Sequence, residues 1–317
     1  MEALEAKLSN IIQNNKHWTY RGEVATYIPE LTKAKSDCLG IYVIDTEGKE
    51  SRAGDWDYPF TIQSISKVAM LICALMHNDL DQIFRKIDLK PTADSFNAIA
   101  NLEVKNQSKP LNPMINSGAI VALSTVKGDT EEEKFNRVLH LTHRITRNPK
   151  ISVDNAVYRS EKASGHQNRA LGYLLKNMKL IDNDVEKLLD AYFKLCSLTV
   201  TCKDLAVMGS VLANEGAFPG KDSATESSEK RQIISREICK KTNAILSTCG
   251  MYEASVNFAV KVGIPAKSGV GGGILGSVPK KMGLGVVGPA LDETGNSYGG
   301  VKVLEDLSKR FDLSIFV

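Results

Sequence analysis

Ser64 and Lys67 stand three residues apart in the stretch Phe60-Thr61-Ile62-Gln63-Ser64-Ile65-Ser66-Lys67, ahead of a nine-residue apolar run from Val68 to Met76. A spacing of three puts both side chains on one face of a helix. In the first turn of that helix, Ser64 would sit among free backbone N–H groups at the positive end of the helix dipole, where a developing oxyanion is favoured. The apolar run would draw Lys67 out of water and pull its pKa down, so that a neutral amine takes the Ser64 hydroxyl proton. That is the chemistry of acyl transfer by a serine with a lysine base. A serine at a helix N-terminus beside a lysine snorkelling from the core is the plainer account, and S-x-x-K alone does not decide between them.

A second stretch, Pro265-Ala266-Lys267-Ser268-Gly269-Val270-Gly271-Gly272-Gly273, contains the K-[ST]-G element that accompanies S-x-x-K in penicillin-recognising serine acyl enzymes. Its glycines would let backbone approach a substrate, with the Val270 N–H as a second oxyanion donor. A Gly-rich edge strand with a bulge fits the same composition. Gly271-x-Gly273-x-x-Gly276 satisfies G-x-G-x-x-G formally, but strand and turn follow it rather than a helix, so the dinucleotide reading fails. A phosphate-binding loop fails too, for want of glycine spacing ahead of Lys267-Ser268. Of the five histidines, only His140 and His143 are near each other, with no carboxylate at a zinc-type spacing, so no metal is expected.

The elements that must position these residues follow from periodicity. Leu4, Leu8, Ile11 and Ile12 mark an N-terminal helix. Leu39 to Asp45 reads as a strand, followed by the turn Thr46-Glu47-Gly48 and a second strand over Ser51 to Ala53. Helical spacing then dominates, with helices near 66–77, 131–146, 168–178, 184–196 and 202–214. Thirteen of the 24 glycines fall in 250–317, marking a return to strands: Lys261 to Ser268, Gly273 to Val278 and Leu284 to Val287, the last two joined at Pro279-Lys280-Lys281. Leu304, Leu307 and Phe311 share one face of a final helix. Lys221 to Lys230 is polar and aperiodic, hence a surface loop or disordered insert. The expected class is α+β: an antiparallel sheet with terminal helices on one face, formed by 1–60 and 250–317, carrying an inserted helical domain, 61–249. The active site would lie in the cleft between them.

Composition narrows the function further. The chain has 317 residues, 43% apolar and 24% charged, with 40 Lys+Arg against 37 Asp+Glu, enough for a sizeable core and unlike a disordered chain. A net charge of +3 without a basic block gives no footprint for nucleic acid or an anionic membrane. The longest apolar run is far short of a membrane span, and the charged N-terminus lacks the apolar region of a signal peptide. The cysteines at 38, 73, 196, 202, 239 and 249 form no C-x-x-C pair and read as reduced core thiols, so a cytoplasmic location is expected.

Taken with five further stretches, the Ser64 motif resembles that of the serine-dependent, beta-lactamase-related glutaminases. These are Tyr27-Ile28-Pro29-Glu30-Leu31, Asn112 to Ile120, Ser160 to Asn168, Tyr192-Phe193-x-x-Cys196-Ser197, and Cys249-Gly250-Met251-Tyr252 ahead of the Lys267 run. The similarity covers roughly residues 20 to 310. It implies Ser64 as nucleophile, Lys67 as base, Tyr252 in proton transfer, and the N–H groups of Ser64 and Val270 as oxyanion hole. Tyr27, Asn116, Glu161, Asn168 and Tyr192 would line the pocket for L-glutamine. Glu161 suits the substrate ammonium, while Asn116, Asn168 and the tyrosine hydroxyls suit its carboxylate. Without the resemblance, Asn116 reads equally as a helix cap, Glu161 as solvated and Tyr192 as core.

The resemblance further implies a beta-lactamase-like fold, a γ-glutamyl ester on Ser64 hydrolysed to glutamate, no cofactor, and a homodimer or homotetramer. Departures are small: Ser117 replaces the usual Ala, His166-Gln167 replaces an Asp-Arg type pair, and 221–230 is irregular. Nothing resembles the extra helical or ankyrin-repeat regions of the animal enzymes. The alternative is a penicillin-recognising hydrolase, for which Ser95-x-Asn97 supplies a formal S-x-N element. A non-catalytic ligand-sensing domain on the same fold would have lost Ser64 or Lys67, and both are present.

Overall fold

The computed structural model describes residues 2–91, 108–220 and 232–316. In chain order the elements are α1 (Glu2–Asn15), β1 (Gly40–Asp45), β2 (Glu50–Gly54), β3 (Phe60–Thr61), α2 (Ser66–His77) and α3 (Leu80–Lys86). There follow α4 (Asn116–Thr125), α5 (Glu131–Thr146), α6 (Asn155–Ser164), α7 (His166–Asn177), α8 (Val185–Cys196), β4 (Thr199–Val200) and α9 (Cys202–Ala213). The chain ends with α10 (Arg236–Cys249), α11 (Ser255–Lys261), β5 (Ala266–Ser268), β6 (Gly273–Val278), β7 (Met282–Val287) and α12 (Tyr298–Phe311). Short 3-10 turns include Pro29–Lys33, Gln63–Ile65 and Tyr252–Ala254.

The main sheet has five strands in the order β2-β1-β7-β6-β5, every pairing antiparallel. Period-two alternation sorts its side chains to two faces. Ile41 and Val43 of β1, Ile274 of β6 and Leu284 and Val286 of β7 pack with Leu8 and Ile11 of α1 and Leu304 and Leu307 of α12. Tyr42, Ile44, Leu275 and Val287 join the larger core of the helices. The expected α+β class, with terminal helices on one sheet face, is the observed one.

On the opposite face, α9 lies almost on the sheet backbone. A Cβ on Gly209 would come within 2.2 Å of Gly276 O, one on Gly283 within 1.9 Å of Ser210 N, and one on Gly285 within 2.0 Å of Cys202 O. Only glycine permits that approach. A capping box, Thr201 with Asp204, starts α9, and Asp204 also accepts from Asn148 Nδ2 at 2.8 Å.

Helix α2 is the axis of the helical part, buried at every residue from Ser66 to Leu75. Its apolar run thus reads as a core helix rather than an amphipathic one. Helix α4 is buried from Asn116 to Leu123, and this all-round burial hid it from a search for one apolar stripe. Helices α3, α6, α10 and α11 also fall outside the helices expected from periodicity. The strand expected over Lys261 to Ser268 is shorter: Lys261 ends α11, and only Ala266–Ser268 pairs with β6. Val260, Val262 and Ile264 alternate as a strand would, but Val260 is 82 % exposed and Gly263 turns left-handed at φ 68°. The stretch 221–230 lies outside the described residues.

Candidate functional site

The two-residue ribbon of β3 against β4, extended by Ile62 N donating to Leu198 O at 2.8 Å, delivers the chain into the turn that holds Ser64. Gln63 there takes a left-handed φ of 47°, a conformation that costs a non-glycine residue energy and clusters at functional sites. Ser64 therefore stands not in the first turn of α2, as expected, but in the 3-10 turn just ahead of it. Its backbone nitrogen lies against the glycine loop, where a Cβ on Gly269 would lie 3.3 Å from Ser64 N and 2.7 Å from Ile62 O.

Lys67 Nζ lies 2.5 Å from Ser64 Oγ, with the lysine 1 % and the serine 7 % exposed. Burial pulls Lys67 down to about 8, against the opposing influence of Cys196 and Glu161. The Tyr252 hydroxyl reaches Ser64 from another side and donates to Ser268 O at 3.1 Å. Burial pushes that phenol up to about 12, the bonds to Ser64 and Ser268 working the other way. Tyr252 therefore keeps its proton at neutral pH, and its oxygen neighbours both Ser268 O and the Ser64 hydroxyl that Lys67 also contacts.

Beside this trio is a polar chain. Tyr192 OH donates to Asn116 Oδ1 at 3.2 Å, and Asn116 Nδ2 donates to Asn168 Oδ1 at 2.9 Å. Asn116 does not cap α4; Ile115 holds that place and the amide turns inward. Tyr192 is buried as a core residue would be, yet its hydroxyl is engaged in the site. Glu161 of α6 is not solvated but 6 % exposed. Burial raises its carboxyl to about 8, while the Lys67 charge, Gln63 and Ser197 act to lower it. Its Oε2 has no hydrogen-bond partner among the described residues. A buried carboxylate oxygen left bare is costly, and marks a place for a cationic donor from outside.

Tyr27 is half exposed along its ring, while its hydroxyl is buried near Glu161, Tyr252 and Cys196; burial and then Glu161 raise its pKa well above the usual phenol. Val270 is 4 % exposed and packs with Ile28, Leu31, Val157 and Leu291. Tyr27, Tyr252 and Val270 together border an open cleft of about 1070 Å³, whose outer walls include Glu253, Asn257 and Asp292. Ser64, Lys67, Tyr252, Tyr27, Asn116, Glu161, Asn168, Tyr192 and Val270 thus fall in one neighbourhood.

Gln63 and Cys196 were quoted with their motifs but given no part, and both lie against Glu161 or Lys67. Asn296, fully buried, bonds to Ser268 and Met251, and went unnoticed because Gly295-Asn296 reads as an ordinary turn dipeptide. The Ser95-x-Asn97 element lies outside the described residues. Among the described residues no three His, Cys, Asp or Glu side chains group as metal ligands would; His143 Nε2 lies instead 2.7 Å from Ile151 O. Nor is any helix among them long and apolar enough to cross a membrane.

Known proteins resemble this arrangement throughout the chain. A glutaminase from Clostridium tetani is 52% identical over 313 residues, covering 99% of this chain and 100% of that protein. Glutaminase 2 of Clostridium perfringens is 50% identical, over 98% and 99% of the two chains. Among solved structures, a probable glutaminase from Bacillus subtilis complexed with 6-diazo-5-oxo-L-norleucine superposes with a TM-score of 0.89 at 34% identity, over 100% and 98% of the chains. The Bacillus subtilis enzyme in covalent complex with 5-oxo-L-norleucine, formed by reaction with the same diazo compound, superposes with 0.88 at 34%, over 98% and 99%. The glutaminase family model matches residues 22–316, almost the whole chain. With a serine, a buried lysine and a buried glutamate in one neighbourhood, and relatives of this closeness, the chain belongs to the glutaminase family.

Proposed function

We propose that the protein hydrolyses L-glutamine to L-glutamate and ammonia through an acyl-enzyme on Ser64. Lys67, as the neutral amine, takes the Ser64 proton while Oγ attacks the side-chain amide carbonyl. The negative charge that develops on the carbonyl oxygen falls to the N–H groups of Ser64 and Val270. The C–N bond then breaks, and ammonia leaves carrying a proton delivered along Lys67 and Tyr252. Water attacks the γ-glutamyl ester with Lys67 again as base, and glutamate departs.

The rest of the site selects the amino acid. The ammonium of glutamine supplies the donor that Glu161 Oε2 lacks. The hydroxyls of Tyr27 and Tyr192 with the amides of Asn116 and Asn168 hold the α-carboxylate. No cofactor or metal takes part in this scheme. The observation that carries the reading is the 2.5 Å contact of Lys67 Nζ with Ser64 Oγ, with the unpartnered Oε2 of buried Glu161 nearby.

Six cysteines, all buried and unpaired, support a reducing, cytoplasmic setting. Exposed Val256 and Val260 on α11 offer apolar surface to a homo-oligomer, a dimer or tetramer, which sedimentation would measure. The direct test compares wild type with Ser64→Ala for ammonia and glutamate release, and for a mass increase after 6-diazo-5-oxo-L-norleucine. Equimolar products and an adduct, both absent from the variant, are expected. An adduct on Ser64→Ala would overturn the assignment of the nucleophile.

A further inference from the structure

Lys267 is fully buried, and no step above employs it. Its Nζ donates to Gly250 O at 3.0 Å and to Ser268 O at 2.6 Å, and stands 4.0 Å from the centroid of the Tyr252 ring. All three contacts bear on Tyr252. Gly250 lies two residues before it, and Ser268 O is the atom to which its hydroxyl donates. Tyr252 itself holds a left-handed φ of 54°, which a bulky residue keeps only when its surroundings enforce it.

The other side of the turn is gripped as well. Asn296 is fully buried, donates from Nδ2 to Met251 O at 3.3 Å, and accepts from the Ser268 hydroxyl on Oδ1. Ser255 Oγ donates to Tyr252 O at 2.6 Å and accepts from Met251 N at 3.1 Å. Lys267 thus faces carbonyls and an aromatic ring, and does not line the cleft bordered by Tyr27, Tyr252 and Val270. Burial, reinforced by the charge of Lys67, drives its pKa well below the usual lysine. Its N–H groups are taken up by two carbonyls.

We propose that Lys267, together with Asn296, is a positioning residue for Tyr252: the pair holds the left-handed turn so that the phenol stands on Ser64. The proposal rests on the role given to Tyr252 in the reaction above. Lys267→Met keeps the stem and removes the donor; Asn296→Ala frees Met251 O and the Ser268 hydroxyl. Each is made in the wild-type and the Tyr252→Phe backgrounds, and kcat and KM for glutamine are measured.

With Tyr252 present, Lys267→Met should lower kcat roughly 30-fold and Asn296→Ala roughly 10-fold, with KM moving less than about 3-fold. In Tyr252→Phe, either change should cost less than about 3-fold more, because the hydroxyl they position is gone. A full additional loss in that background would overturn the positioning role while leaving Tyr252 in place. A wild-type kcat for Tyr252→Phe alone would remove Tyr252 from the reaction, and this proposal with it. Should Lys267→Met not fold, Asn296→Ala carries the comparison. Failure of both to fold would make the cluster a requirement of the fold and overturn the proposal.

Discussion

Ser64 and Lys67 are three residues apart but belong to two different helical turns, a 3-10 turn and the start of α2, and their side-chain atoms still meet at 2.5 Å. The change of helix type matters, because it follows the left-handed Gln63 and brings Ser64 N against the glycine loop. Ser64→Ala and Lys67→Met should each lower kcat by roughly 10⁴-fold or more, and the double variant scarcely further, since the pair acts as one unit. Lys67→Arg should not restore activity, because a guanidinium does not give up its proton. Ammonia release measures all four, and a Lys67→Arg variant above one-tenth of wild type would argue against lysine as the base.

The pH dependence has a definite sign. Burial lowers Lys67 and raises Glu161, both to about 8. The proposed mechanism needs both groups without their proton: the amine to accept from Ser64, the carboxylate to hold the substrate ammonium. Between pH 6 and 9, kcat/KM should therefore rise, on the acid side with a slope above one, and Glu161→Gln should bring that slope down to about one. A flat profile would exclude both assignments.

Glu161→Gln is also predicted to separate binding from folding. The amide retains volume but loses the charge-assisted bond to the ammonium, so KM should rise about 10²-fold. The variant should melt no lower than wild type, because it replaces a buried ionisable group by a neutral one. A lower melting temperature with unchanged KM would make Glu161 a structural residue.

Gly250→Ala tests the close approach behind the tyrosine turn. Its Cβ would come within 1.7 Å of Ala266 O, which is backbone and has little room to yield. Destabilisation of about 1–3 kcal/mol or more is expected in urea unfolding. An unchanged midpoint would mean that α10 and β5 move apart freely.

Local spacing carried the machinery that lies close together in sequence. S-x-x-K is one such case, since Ser64 and Lys67 reach each other within a turn. Lys267 on β5 is another, for its strand was legible from composition. What lay beyond reach depends on tertiary partners: the inward aim of Lys267 is decided by Gly250 O, and the place of Asn296 by Met251 O. Glu161 looked like a solvated helical residue because its burial comes from segments around Gln63 and Ser197. Helix α4 escaped because a helix buried on every side has no stripe to find. The residues grouped in the site, by contrast, were reached through long motifs whose order and spacing resemble one family.

Backbone meets backbone where α9 crosses β6 and β7, with Gly209, Gly283 and Gly285 at the crossing. A joint of that kind contains no side chains to change rotamer, and a slide of one residue would drive a Cβ into a carbonyl or an amide. That close contact resists rotation of the helical bulk against the sheet. At the rim of the cleft, half-exposed Tyr27 has solvent beside it instead. Inheritance feels the same constraint: variants at the joint face nearly all-or-none selection, while those at the rim can tune the rate of entry.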